Sequence, residues 1–441
     1  MSTWKLSQYT VVFRGSSGEG ILHNSFMGAL AVVPQAEFNH IENLLHKELT
    51  EDDIQNKTLN ELCHNGFFVP THIDEKIYVN DILKKENRNR FFDIVILPHE
   101  NCNFRCTYCY ETHTRGRMEK KVVEGLKQFV ESKSAEYPGI EVRWFGGEPL
   151  LAADIISELS ESFLRSCRKN QVPYRSNITT NGYLLTPKMF DSMLKGGIHD
   201  FHVTLDGPEE VHNQTRKLIN GGKTFETIFR NLICIKERED NNFKVSIRVN
   251  FNDESLARMG DFFITMSQTF GNDNRFGLYF RPIGKYGGPN DDNFEVCDYN
   301  CAKSTEMDLS FQYAEYGALD KLVQQSLQSH GYVCYASRET SVVVGADGTV
   351  YKCSVDFDNE RNRVGRLLPD GRLDVNLNWD LWVNHNGYVN EICDTCPIYP
   401  LCQGKYCPKK SILLNKPICP LTITTYSKLI QIASGSHVKF Q

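Results

Sequence analysis

Apolar and polar positions follow two periods along the middle of the chain. Six apolar runs, FFDIVILP, IEVRWFGG, RSNITTNG, DFHVTLDG, KVSIRVNF and FGLYFRPI, recur from about residue 91. Between them lie stretches such as MEKKVVEGLKQFVESKSAE and DIISELSESFLRSCRK, whose apolar residues fall at helical spacing. Strand followed by helix, repeated, predicts an α/β fold with a parallel sheet. The strand faces choose between two such folds. Val245, Ile247, Val249 and Phe251 share one face, and Ser246, Arg248 and Asn250 the other. Phe201, Val203 and Leu205 likewise oppose His202, Thr204 and Asp206, and Tyr279 and Arg281 lie away from Phe280. A doubly wound sheet, covered by helices on both faces, would make such strands apolar throughout. The expectation is a partial (β/α)6 TIM barrel over residues 90–296, with helices outside and a polar, ligand-filled interior.

The flanks read differently. In residues 1–80, YTVVF and GILHN, joined by RGSSGEG, predict a β-hairpin. QAEFNHIENLLHKEL and NKTLNELCHNG predict two short helices, the second stopped at Gly66, and FFVPTHID a closing strand. This is a small α+β, winged-helix-like unit. DEKIYVNDILKKENRNR reads as a polar linker. Beyond the barrel, residues 297–333 read as a bridging helical segment, 334–425 as a loop-rich, cysteine-rich domain and 426–441 as a tail. A stretch with so little apolar core of its own is expected to be held together by metal.

Composition narrows the function. The chain has 441 residues, 40% hydrophobic and 24% charged, which is globular and long enough for several units. The net charge of −6 gives no basic footprint for nucleic acid. No apolar run approaches the roughly 20 residues that span a bilayer, and MSTWKLSQYT does not begin a signal peptide. The reading is a cytoplasmic protein with neither nucleic acid nor membrane as partner. In that compartment, its fifteen cysteines are more often metal ligands than disulfides.

Three of them, Cys102, Cys106 and Cys109, stand in CNFRCTYC, just after the first strand. Barrel active sites are built at the C-terminal ends of strands. Three thiolates suit zinc or an iron–sulfur cluster. Closed structural zinc sites take four protein ligands, usually in paired C-x2-C spacing, and this loop offers neither. A four-iron cluster on three cysteines keeps one iron open.

C-x3-C-x2-C with Tyr108 is followed by three further motifs, each ending a successive strand. They are GGEP (Gly146, Gly147, Glu148, Pro149), TTNG with Asn181, and TLDGPEEVHNQTR with Thr204, Asp206 and Arg216. Together they resemble the signature of the radical S-adenosylmethionine (SAM) enzymes, with Thr204 where a serine is commoner. The resemblance implies a [4Fe–4S] cluster on Cys102, Cys106 and Cys109, its open iron binding SAM. GGEP would take the methionine amino group and Arg216 the carboxylate, since a guanidinium suits a planar carboxylate. Tyr108, Asn181, Thr204, Asp206 and Asn250 would complete the cofactor site. The reaction implied is one-electron cleavage of SAM to a 5′-deoxyadenosyl radical that takes a hydrogen atom from the substrate, fed by a donor such as flavodoxin or ferredoxin. Asp206, His202, Arg248, Tyr279 and Arg281 are the inward-facing candidates for catalysis.

Cys334, Gly348, Cys353, then Cys393, Cys396, Cys402 and Cys407 in CDTCPIYPLCQGKYC, and Cys419 resemble the SPASM extension of that family, although its last gap is usually three residues and here is four. The resemblance implies two auxiliary [4Fe–4S] clusters, three in all. Cys393, Cys396, Cys402 and Cys419 would hold one. Cys334, Cys353 and Cys407 would hold the other, with an open iron or a ligand from Cys297 or Cys301. Winged-helix-like units before such barrels resemble elements that capture the leader of a ribosomally made precursor peptide. The whole implies a peptide maturase forming a crosslink of the thioether type. Carbon–carbon or carbon–oxygen crosslinking and anaerobic sulfatase maturation are the alternatives.

Overall fold

The structure is a computed structural model in which residues 3–296, 299–314 and 327–435 are described. Two compact units emerge. One holds residues 1–88, 321–337 and 384–441, the other residues 89–320 and 338–383.

The first unit begins with strands β1 (Trp4–Leu6), β2 (Thr10–Arg14), β3 (Gly20–Asn24) and β4 (Ala29–Val33). Helices α1 (Gln35–Ile41) and α2 (Lys57–His64), strand β5 (Phe68–Pro70) and helix α3 (Glu75–Arg88) follow. The expected hairpin is present as β2 and β3, antiparallel from Thr10↔Asn24 to Arg14↔Gly20, and β4 extends it to three strands. The Asn56 side chain caps α2 by accepting from Leu59 N at 3.1 Å. Gly66, at φ +77°, lies just past its end. Leu22, Phe38, Ile41, Leu59, Leu62, Phe67 and Phe68 form the core.

The stretch read as a polar linker is instead helix α3. Glu75, Val79 and Leu83 recur every fourth residue on its buried face, and Val79 and Leu83 pack with Tyr9. Glu75 fastens its start by accepting from Gln8 N at 2.9 Å and from the Ser7 hydroxyl. A stripe this narrow disappears among ten polar or exposed positions when judged by composition.

The second unit is built on one sheet. Its elements are β6 (Phe92–His99), β7 (Phe104–Cys106), α4 (Lys120–Glu136), β8 (Ile140–Gly146), α5 (Ala153–Lys169), β9 (Tyr174–Thr180) and α6 (Pro187–Lys195). Next come β10 (Asp200–Thr204), α7 (Glu209–Thr215), β11 (Arg216–Leu218), α8 (Phe225–Lys236), β12 (Lys244–Phe251), α9 (Asp253–Leu256), α10 (Met259–Phe270), β13 (Phe276–Pro282) and α11 (Tyr299–Ala314). Strands β14 (Ser341–Val344), β15 (Thr349–Tyr351), β16 (Arg363–Leu367) and β17 (Leu373–Val375) complete it.

The six expected strands pair in parallel and in chain order, β6-β8-β9-β10-β12-β13. Every crossover among the six steps the same way, and crossovers of one hand collect their helices on one face. A doubly wound sheet would reverse direction at a switch point, and the strand order has none within these six strands. The helix-covered face is apolar: Val203, Ile247 and Val249 are fully buried, and α5, which packs on β9, turns Ile155, Leu159, Phe163 and Cys167 inward at four-residue spacing. His202, Arg248 and Tyr279 lie on the opposite face, as the alternation predicts.

The cysteine-rich end departs from the expectation of loops. β14 joins β6 in parallel, and β15, β16 and β17 follow antiparallel, extending the sheet to ten strands. Val342, Val343 and Val344 are fully buried. The SVVV run and the ADGT turn carry this signal in the sequence, but four residues are short for a strand.

Candidate active site

The opening cysteines are placed by two devices. β7, which contains Cys106, pairs antiparallel with β11, so that Arg216 lies opposite Cys106. A charged clasp holds the far end of the loop. Arg115 Nε donates to Glu100 at 2.6 Å and Arg115 Nη1 to the Tyr351 hydroxyl at 2.7 Å, while Glu100 accepts from Ala346 N at 2.7 Å. The strands missed in the sequence thus anchor the loop. The Tyr110 hydroxyl adds a bond to Ser354 O at 3.1 Å.

A cavity of about 370 Å³ opens at these strand ends. Cys102, Cys106, Cys109, Tyr108, Gly146, Gly147, Asn181, Thr204, Arg216 and Asn250 line it, as do Arg248, Tyr279 and Arg281. Four of the residues singled out in the sequence stand behind the lining. Pro149 opens a buried turn of 3-10 helix. Glu148 is fully buried, and its carboxylate accepts from Leu150 N at 3.0 Å, the Thr180 hydroxyl at 2.8 Å and Asn181 N at 2.8 Å. Burial pushes its pKa up and those donors oppose the shift. Glu148 therefore braces the turn that presents Gly146 and Gly147. That turn presses on β6: a Cβ on Gly146, at φ +116°, would stand 2.6 Å from His99 O, and one on Gly147 would stand 2.5 Å from Asn101 O.

Asp206 is the buried hub of a second brace. Its carboxylate accepts from Asn250 N at 3.0 Å, from Asn250 Nδ2 at 3.1 Å and from the Tyr108 hydroxyl. Tyr108 in turn accepts from Arg216 Nη1 at 2.9 Å and Asn250 Nδ2 at 3.1 Å. Arg216 is buried, sits over the Phe104 ring at 5.7 Å, and keeps a buried Nε without a hydrogen-bond partner. His202 lies deeper, its Nδ1 3.4 Å from the Tyr279 hydroxyl. Burial, aided by Arg248, Arg143 and Arg281, lowers its pKa to about 4, so the ring is neutral.

The thiols suit a metal cluster. Burial is the largest cause raising all three above the ordinary thiol value, Cys109 to about 12, and their mutual proximity adds to it at Cys102 and Cys109. Desolvated thiols stay protonated unless a metal takes the proton's place. Phe104 N donates to Cys102 Sγ at 3.3 Å and Asn181 Nδ2 lies 3.7 Å from it, the kind of donors that support a bound sulfur. Among the described residues no three His, Cys, Asp or Glu side chains converge on a single ion; a four-iron cube spreads its ligands over separate irons. Sequence reading missed Glu111, which lines the cavity with its pKa raised to about 8 by burial. Its place two residues after Cys109 is the signal that was available.

The C-terminal cysteines fall in both units. Cys393, Cys396, Cys402 and Cys419 lie together in the first, where burial raises Cys402 to about 12 and the other three add to the shift. Cys334 and Cys407 both act on the buried Tyr388 phenol there. Cys353 belongs to the second unit, its N–H donating to Asn362 Oδ1 at 2.8 Å. Cys301 is exposed on α11, and Cys297 lies outside the described residues.

Residues 96–264 match the family model described as the Radical SAM superfamily. The cysteine-type anaerobic sulfatase-maturating enzyme of Clostridium perfringens (strain 13 / Type A) is 24% identical over 337 residues, 69% of this chain and 85% of that protein. The radical SAM cyclopropyl synthase TigE of Paramaledivibacter caminithermalis is 23% identical over 270 residues, 54% of this chain and 55% of that one. Among solved structures, native anSMEcpe with bound AdoMet and Cp18Cys peptide aligns at a TM-score of 0.58 and 20% identity, covering 78% of this chain and 98% of that one. Streptococcus suis SuiB bound to precursor peptide SuiA aligns at 0.51 and 15% identity, covering 95% of this chain and 98% of its own. At such identities the structures establish the fold.

Proposed function

Because the chain is a radical SAM superfamily enzyme, we propose that it is a peptide maturase that installs a crosslink, of the thioether type, in a ribosomally synthesised precursor peptide. The observation that carries this is the cavity, which joins three desolvated thiols to a wall of polar side chains that includes Arg248, Tyr279 and Arg281. Cys102, Cys106 and Cys109 would hold a [4Fe–4S] cluster. With that cluster and SAM bound, one electron cleaves the sulfonium and supplies a 5′-deoxyadenosyl radical that abstracts hydrogen from the peptide.

The chain's own residues do the rest. The Gly146–Gly147 turn presents backbone to an ammonium, and Arg216, with its unpartnered Nε, offers a guanidinium to a carboxylate. Tyr108, Asp206 and Asn250 fix that guanidinium in place. In the first unit the three-stranded sheet β2-β3-β4 would take the leader as an added strand. SuiB bound to SuiA and the peptide complex of anSMEcpe support a peptide as substrate. The sulfatase-maturase reading is favoured by the 85% span of that relative. It requires every auxiliary iron to be ligated by protein, which open-iron thioether chemistry does not.

Iron and sulfide analysis after anaerobic reconstitution tests the premise. The wild type should carry about twelve irons, and Cys102/Cys106/Cys109→Ala about eight, as expected for three four-iron clusters of which one is removed. Zinc with little iron in the wild type would sink the reading.

A further inference from the structure

Among the described residues that line the cavity, Arg248 is a cation whose guanidinium has no hydrogen-bonded or ion-paired partner, although it acts electrostatically on Cys106 and His202. Arg248 stands on β12, with Thr204 beside it on β10 and Tyr279 beside it on β13, and it lines the cavity with both. Its Nε is buried without a hydrogen-bond partner, and no hydrogen bond or ion pair engages its guanidinium among the described residues. The other charged groups are accounted for. Arg216 is tied to Tyr108 and lies 4.0 Å from Asp206, Arg281 pairs with Glu306, and Arg143 holds Asp93 at 2.7 Å. Glu111 answers electrostatically to Glu100 and Arg115. His202, behind the lining, is neutral.

A guanidinium is costly to desolvate, and an unpaired one persists where a ligand completes it. Its planar fork matches a carboxylate with two parallel hydrogen bonds. The cofactor's carboxylate already has Arg216, at the cysteine end. Resting on the maturase reading above, we propose that Arg248 docks a carboxylate of the substrate peptide, so that the residue delivered to the radical is acidic or ends the chain. The floor of the cavity then selects Asp, Glu or a C-terminal residue over their amides. Thr204 and the Tyr279 hydroxyl flank the fork and offer further donors to the same oxygens.

The test uses the reconstituted full chain with SAM under anaerobic conditions. The probes are acetyl-Gly-Gly-Asp-Gly-Gly-amide, its Asn isostere, and acetyl-pentaglycine with a free C-terminal carboxylate. Saturation-transfer NMR reads millimolar affinities. The Asp probe, the free-acid probe or both should bind at least about tenfold tighter than the Asn probe. The probe that binds tighter identifies the source of the carboxylate. In Arg248→Gln that ratio should fall to near one, and Arg248→Lys, which keeps the charge and loses the fork, should lie between. Because each ratio is taken within one preparation, incomplete reconstitution cancels. Equal or undetectable binding of acid and amide probes to the wild type overturns the proposal, as does a ratio unchanged in Arg248→Gln. Weakened SAM binding in Arg248→Gln with an unchanged ratio reassigns the guanidinium to the cofactor. Failure of the maturase reading looks different: iron or SAM cleavage is missing from the wild type itself.

Discussion

Glu148 shows what a motif tells and what it withholds. GGEP is visible in the sequence, and so is a carboxylate at a glycine turn. That its oxygens are spent on Leu150 N, Asn181 N and the Thr180 hydroxyl is not visible, because those partners come from two different strand ends. The same holds for Asp206, whose partners stand on the cysteine loop and β12. Both residues were legible as site residues, and their roles as braces only from contacts. Glu148→Gln should therefore act on stability before chemistry. The amide replaces an acceptor with a donor opposite groups that already donate, and a buried charged-acceptor network loses about 1.5–3 kcal/mol for such a change. Urea denaturation of the variant should show that loss as a lower midpoint at unchanged slope. An unaltered midpoint would mean that the turn does not depend on the carboxylate.

At the level of elements, periodicity told the truth where runs were long. The six parallel strands and their helices follow from alternation and from 3.6-residue spacing. It failed for α3, whose buried stripe is one residue wide, and for β14–β17, whose pairing partners are distant in sequence or very short. The C-terminal helix Ile423–Ser434 shows a further device that no pattern announces. His23, on β3 of the same unit, is fully buried between Leu327 O, 3.1 Å from its Nε2, and the Tyr426 hydroxyl at Nδ1. The partners assign a neutral ring that donates from Nε2 and accepts at Nδ1. Burial lowers its pKa from 6.5 to about 4. The unfolded chain therefore binds the proton more readily across that window. Stability should be full above about pH 6.5 and fall as pH drops toward 4, by at most about 3 kcal/mol from this group. Tyr426→Phe should cost about 1–3 kcal/mol by orphaning Nδ1. His23→Gln, which does not titrate, should flatten the pH dependence of the urea midpoint between 6.5 and 4; an unchanged slope there would clear His23 of the effect.

On the scale of the whole chain, the cysteines pose the remaining question, since the unit around Cys393, Cys396, Cys402 and Cys419 has a core built largely from the first 88 residues. The helices that bear Cys393 and Cys402 are short, Glu391–Asp394 and Tyr399–Cys402 having four residues each, and Cys396 and Cys419 lie on loops. Isolated turns of that length do not hold themselves, and the thiols of Cys393, Cys396 and Cys402, whose pKa values burial raises, give nothing back unless metal replaces their protons. Metal should therefore supply the folding energy of this segment. Gly404 makes the point testable without touching a thiol. At φ +68° it lies against Tyr388, and a Cβ would stand 1.5 Å from Tyr388 O. Gly404→Ala must move the turn between Cys402 and Cys407. On the proposed three-cluster reading, its expected outcome is loss of about four or eight of roughly twelve irons, faster proteolysis within 384–435, and retention of the iron that Cys102, Cys106 and Cys109 would hold. The comparison with Cys102/Cys106/Cys109→Ala is decisive because the two variants should deplete different iron. If Gly404→Ala kept the full complement, the C-terminal thiols would not be cluster ligands, and the extension would have to be rebuilt as a purely protein-held fold.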